Sequence, residues 1–364
     1  MIAAFYIIIL SLNLFLCIIN RKSKVVIFLS ALFMILLISG NDRSGDTENY
    51  LVSYNNVAYN FSFYDGPLFW YAMRFCKLMG IDFFQFKIIC ALIIICNYFF
   101  FIRNIKIKDI HFLMAFYLLY IFFFDIEQFR NALAFSLYLL GYSIYKVKTE
   151  KGYHLKRGRV IFFVLILLST AIHALTFFYL ITFIVDNLIN SKISKLIPYM
   201  VVTLLCCLKL VSDQFDLGGV IYKFIGNGSV KLRAYLQNRV TWGFLLPLGL
   251  QVIAYMFISY IYKTNKRRGN ESQVVNFIYR NFQILFIVCF FYLNSITFYR
   301  VIRNFIPLIV IASLLINENF SRKSLSNIKI KMGIILMIVP WFVYDILIRL
   351  NDIFIPVLTS NHWL

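Results

Sequence analysis

The sequence predicts an all-α, polytopic integral membrane protein of about twelve spanning helices, with both termini outside the cytoplasm. Three observations predict it. Of the 364 residues, 61% are hydrophobic and only 14% charged, far from the usual soluble composition. Apolar runs of helical length recur between short polar connections. Lys and Arg crowd alternate connections, which orients the spans across a bilayer. No polar block is long enough for a soluble domain, so residues 1–364 read as a single transmembrane domain with larger outer loops near 41–83 and 212–242.

The first run, residues 2–19, has no basic residue before it and "NRKSK" after it, the reverse of a cleavable signal peptide. It is expected to stay as a helix. Further spans are predicted near 24–40, 84–102, 110–125, 130–145 and 159–170. A second half follows near 172–190, 196–212, 242–262, 274–293, 301–317 and 332–350. The connections at "NRKSK", "RNIKIK", "KVKTEKGYHLKRGR", "NSKISK", "KTNKRRG" and "SRKSLSNIKIK" hold 22 basic residues, and the alternate set holds 11. The first set is therefore expected in the cytoplasm. This also explains the net charge of +20 through orientation and anionic lipid, without nucleic acid. Seven cysteines, mostly inside apolar runs and without a CxxC pair, indicate neither a disulfide framework nor a metal cage.

The outer connections prefer arginine: 7 of their 11 basic residues are Arg, against 7 of 22 inside. A guanidinium presents a planar fork of donors suited to phosphate and carboxylate. An anionic group is the ligand this points to, and ordinary interfacial pairing with carboxylates is the alternative. "FFFDIEQFRNALAF" puts Asp125, Glu127 and Arg130 in a very short turn, and "NSITFYRVIRNF" puts Arg300 and Arg303 one helical turn apart. Arg130 and Gly141 stand eleven positions apart, which brings them to one helix face where Gly141 admits a second helix or a lipid chain.

"LLSTAIHALTFF" holds His173 inside a region that must cross the membrane twice, so a tight reversal is expected at residues 169–173. There the imidazole would serve as base, as phosphate donor, or as a structural histidine held by a carbonyl. The stretch "SGNDRSGDTENYLVSYNN" collects Arg43, Asp46, Thr47, Glu48 and Tyr50 outside. "AYNFSFYDGPLFWYAMRFCKLMG" alternates aromatic and polar groups, as either a sugar-stacking surface or an interfacial anchor would. Walker A, GxGxxG, HExxH, GxSxG and DxD patterns do not occur, so ATP, a dinucleotide and a metal-held nucleotide sugar are not expected.

In order along the chain, "GDTENYLVSY", "FRNALAFSLYLLGYSIY", "STAIHALTFFYL" and "SITFYRVIRNFIPL" resemble the EpsG and Wzy family of polysaccharide repeat-unit polymerases, which includes the O-antigen polymerases. The resemblance implies a GT-C-like fold in the bacterial cytoplasmic membrane, with the active site facing the periplasm or exterior. It implies inverting glycosyl transfer without metal or other cofactor. The donor and acceptor would be undecaprenyl-pyrophosphate-linked oligosaccharides, and a chain-length regulator would be a further partner. Arg130, Arg300 and Arg303 would bind pyrophosphate, and His173, Asp46 or Glu48 would be the base. Arg43, Thr47, Tyr50, Glu127 and Tyr299 would line the substrate. A flippase for lipid-linked oligosaccharide, a membrane O-acyltransferase and an O-antigen ligase are the other readings.

Overall fold

A computed structural model describes residues 1–56, 66–147, 155–188, 191–211, 242–269, 272–317 and 325–364, and among these every regular element is helical. Residues 212–241 of the expected outer loop 212–242 lie outside the described residues. Six described helices are long and apolar enough to cross a membrane, or seven if one bent pair counts as a single span. The chain forms two compact units: one contains Gly66–His173 and Ile338–Leu364 with the first helices, and the other contains Ala174–Met337.

The first unit begins with α1 (Ile2–Ile19) and α2 (Lys24–Gly40). Asn20 ends α1 in the left-handed conformation, and the Ser23 side chain caps α2 by accepting from the Val26 amide. Asn13, buried within α1, donates to Ser30 of α2 and pairs through Oδ1 with His111 Nδ1, both at 2.9 Å. His111 Nε2 accepts from the Ser23 amide, so Nδ1 carries the proton in this arrangement. Polar side chains inside an apolar bundle find partners on neighbouring helices because no water is there to serve them.

After α3 (Gly45–Asn56) and α4 (Pro67–Leu78) comes α5 (Phe83–Ile105), opened by a reciprocal capping box between Asp82 and Gln85. The expected span near 110–125 is broken: α6 (Ile110–Leu119) and α7 (Ile121–Glu127) bend by 56°. The next helices are α8 (Phe129–Tyr142) and α9 (Leu155–Ile172). Asn97 and Asn104 of α5, seven residues apart, donate to Ser136 and to Ser143 at the end of α8, also seven apart. That match fixes the register of α5 against α8. α9 has the length of a span, but Lys156, Arg157 and Arg159 charge its first turns.

The second unit contains α10 (Phe177–Leu188), α11 (Ser191–Ser194), α12 (Ile197–Val211), α13 (Leu245–Arg267) and α14 (Gln273–Ile284). α14 continues into a 3₁₀ stretch, Leu285–Leu293, long for a helix type with poorer hydrogen-bond geometry. Gln251 of α13, fully buried, supports that stretch: it donates to the Leu285 carbonyl and accepts from the Tyr292 hydroxyl and Cys289 thiol. A short 3₁₀ turn, Ile296–Tyr299, leads through α15 (Arg300–Arg303) to α16 (Ile306–Asn317). α17 (Leu325–Arg349), with Pro340 in its interior, begins in the second unit and belongs to the first from Ile338 on, as do α18 (Ile355–Thr359) and the final residues.

Candidate functional site

The acidic cluster after α2 is the start of a helix. Ser44 donates its amide to Asn41 Oδ1 and its hydroxyl to Thr47 Oγ1, and its carbonyl accepts from the Glu48 amide. Asp46 and Glu48 thus occupy the first turn of α3, where negative charge complements the helix dipole. Asp46 is half-buried, Glu48 and Arg43 are exposed, and Thr47 is buried. One turn later Tyr50 joins an aromatic cluster, with ring centroids 5.3 Å from Phe129, 5.4 Å from Phe69 and 6.3 Å from Trp70. Behind it Tyr54 donates to the Ile81 carbonyl at 2.7 Å. Burial, and then the nearby Cys76 and Asp82, push its phenol up to about 12, which keeps the donated proton in place.

Arg130 lies at the centre of this region. Only 8% exposed, it donates from Nε to the Ile172 carbonyl at 2.7 Å. Its guanidinium carbon lies 5.2 Å from the Phe69 ring centroid and 5.6 Å from that of Trp70, a cation–π arrangement. Gly66 enters α4 at φ 73°, and a Cβ there would collide with both Arg130 Nη2 and the Ile172 carbonyl oxygen. Glycine meets both demands at once. His173, half-buried, follows Ile172 directly and returns its amide to the Ser169 carbonyl. That bond is the last helical one of α9, so residues 169–172 form its final turn, and His173 stands directly after the carbonyl that holds Arg130.

The interface of α8 with α9 explains how this comes about. Gly141 faces Phe162, whose Cδ2 would stand 2.6 Å from an added Cβ. Ser169 donates to the Ala134 carbonyl at 2.6 Å, and Arg130 reaches Ile172. The pairs 141/162, 134/169 and 130/172 form one antiparallel register. Between the helix and the lipid chain that the spacing of Arg130 and Gly141 allowed, the occupant of that glycine face is a helix.

Glu127, half-buried, accepts from Gln128 Nε2 at 3.0 Å. Asp125 is 4% exposed and accepts from both Tyr98 and Tyr117 hydroxyls. In the second unit Arg303 is 2% exposed, donates to the Tyr299 hydroxyl at 3.1 Å and lies 5.3 Å from that ring's centroid. Arg300 is half-buried. Tyr179 ties this turn down, donating to the Val301 carbonyl and accepting from Asn304 Nδ2. Arg130 and Arg303 thus differ from the open bundle-mouth arginines that the sequence led us to expect: aromatic side chains cover both.

Two parts of the first unit's arrangement escaped the sequence reading. Lys87 is fully buried, donates to the Asn41 carbonyl at 2.5 Å and lies 5.4 Å from the Phe129 ring centroid. A lysine in the first turns of an otherwise apolar span was its signal. The last residues close over the end of α2. Ser360 bonds to Asp42, the His362 amide donates to the Gly40 carbonyl at 2.6 Å, and Trp363 Nε1 donates to Ser39. The His362 ring stacks on Phe84 at 3.9 Å. Gly40, which has no room for a side chain beneath Asn361 and Trp363, was the only hint of this.

The model of the EpsG family matches residues 24–356. No curated protein and no solved structure gives a significant match.

Proposed function

The chain belongs to the EpsG family, and from that premise we propose that it is a polysaccharide polymerase that joins undecaprenyl-pyrophosphate-linked repeat units, as in O-antigen or capsule assembly. Family membership supports a polymerase-like glycosyltransferase role in general, and the helices support a membrane-embedded protein. The observation that carries the finer reading is the junction of Arg130, Ile172 and His173 beneath Phe69 and Trp70. It joins two of the motifs that resemble such polymerases, although 42 residues separate them.

In the proposed reaction an acceptor sugar hydroxyl attacks the anomeric carbon of the donor glycan, on the outer face of the bacterial cytoplasmic membrane. Its proton passes to a base, for which His173 ranks ahead of Asp46 and Glu48. The bond from the anomeric carbon to the pyrophosphate oxygen breaks with inversion, and the lipid pyrophosphate leaves with the bonding pair. Arg130, Arg300 and Arg303 bind and neutralise that leaving group. A guanidinium already fixed by a carbonyl and two ring faces needs little reorganisation, and a site shielded from water strengthens its action on developing charge. Tyr50 and Trp70, both half-buried, offer ring surface to a sugar, and the resemblance assigns Arg43, Thr47, Glu127 and Tyr299 to the substrate as well. No step calls for a metal.

Deletion of the gene, with surface glycan resolved on a gel, tests this. Loss of polymerase leaves a single repeat unit on the final acceptor. Complete absence of glycan would instead favour a flippase. Unchanged long chains would overturn the polymerase reading.

A further inference from the structure

The second unit contains a cleft of about 990 Å³ that the proposed reaction does not use. Lys195, Lys263, Lys266 and Arg267 line it, and no lining residue carries a carboxylate. Lys263, Lys266 and Arg267 follow one another at helical spacing on the last turns of α13, so they share a face. Along the same face toward the middle of α13 lie Met256, Ser259 and Tyr260. One wall is a stack of phenols: the Tyr262 and Tyr279 rings lie 4.2 Å apart at 11°, and Tyr255 continues the stack at 6.3 Å and 5°.

Chemistry grades along this cleft. Its cationic end belongs to the basic connections "NSKISK" and "KTNKRRG", which the positive-inside rule assigns to the cytoplasm. Beside the cations the lining turns apolar and open: Met256 of α13 is 66% exposed and Tyr199, in the first turn of α12, 65%, on helices of span-like composition. A small soluble anion would use the cations and leave the apolar part without a partner. A neutral lipid would use the apolar part and leave four cations without a counter-charge. The volume far exceeds that of a single ion and suits a headgroup with its glycerol backbone.

We propose that this cleft binds an anionic glycerophospholipid of the cytoplasmic leaflet. Lys195, Lys263, Lys266 and Arg267 hold the phosphate, tyrosine hydroxyls contact the glycerol region, and the acyl chains run along Met256 and Tyr199. Basic pockets between membrane helices on this side select lipids of net negative charge.

The test uses the full-length protein in nanodiscs of phosphatidylcholine doped with phosphatidylglycerol, with retained lipid counted by native mass spectrometry. The wild type is expected to retain phosphatidylglycerol over phosphatidylcholine by at least about tenfold. The triple variant Lys263→Gln/Lys266→Gln/Arg267→Gln should lose that preference. Because those residues also orient the chain, Met256→Trp serves as a second variant that fills the apolar part and leaves every charge in place; it should lose the preference too. Equal retention of the two lipids by the wild type would overturn the proposal, as would full preference in both variants. Displacement by glycerol phosphate at the lipid's own concentration would overturn it as well, by showing a site for the soluble anion.

Discussion

Arg130 Nε donates to the Ile172 carbonyl at 2.7 Å, one residue before His173. That bond joins the start of α8 to the end of α9 and holds the cation against the last carbonyl of that helix. Nine-tenths of the arginine is covered, so the bond forms where water does not compete for its donors.

Arg130→Lys keeps the charge but loses the planar fork, the Ile172 bond and the stacking on Phe69 and Trp70. Both Arg130→Lys and Arg130→Ala are expected to abolish chain extension, while immunoblots show normal protein in the membrane. A normal glycan ladder from the lysine variant would show that charge alone suffices.

Gly66→Ala is expected to reduce chain extension through displacement of Arg130. The left-handed conformation costs an L-residue roughly 1–2 kcal/mol, and the collision with Arg130 and Ile172 adds to it. Thermal unfolding in detergent should fall, and a ladder of wild-type length would count against the tight junction.

His173→Ala should abolish extension outright, whereas Asp46→Asn and Glu48→Gln should keep it. The two acidic residues lie in the first turn of α3, where loss of charge costs about 0.3–1 kcal/mol of helix stability each. Ladders lost in Asp46→Asn but kept in His173→Ala would move the base to α3.

Gly141→Val should separate α8 from α9, because an added Cβ would already lie 2.6 Å from Phe162 Cδ2. Overpacking of this kind typically costs about 1–3 kcal/mol. The melting temperature and chain extension should fall together, and activity lost at unchanged stability would point to a direct role of Gly141 in substrate passage.

Tyr299→Phe removes the hydroxyl that accepts from Arg303 Nη1 in a covered site. Loss of such a bond to a charged group costs about 1.5–3 kcal/mol. The variant should shorten glycan chains at near-normal protein level, and an unchanged ladder would remove this pair from the site.

Composition and apolar runs were sufficient to determine that this chain is a helical membrane protein, and the ends of α1, α2 and α5 fall within three residues of the expected 2–19, 24–40 and 84–102, whereas the span expected near 332–350 begins at Leu325 and the one near 242–262 runs on to Arg267. The spacing of Arg130 to Gly141 also placed one face of α8 correctly, because helical periodicity is local. Order along the chain could not show that the face looks onto α9, that Gly66 is pinned between Arg130 and Ile172, or that Lys87 is buried. Nor could it show that the final residues pack on Gly40 and Phe84. Those relationships join residues tens to hundreds of positions apart. They arise only when packed helices bring polar groups into a space without water and oblige each to find a partner there.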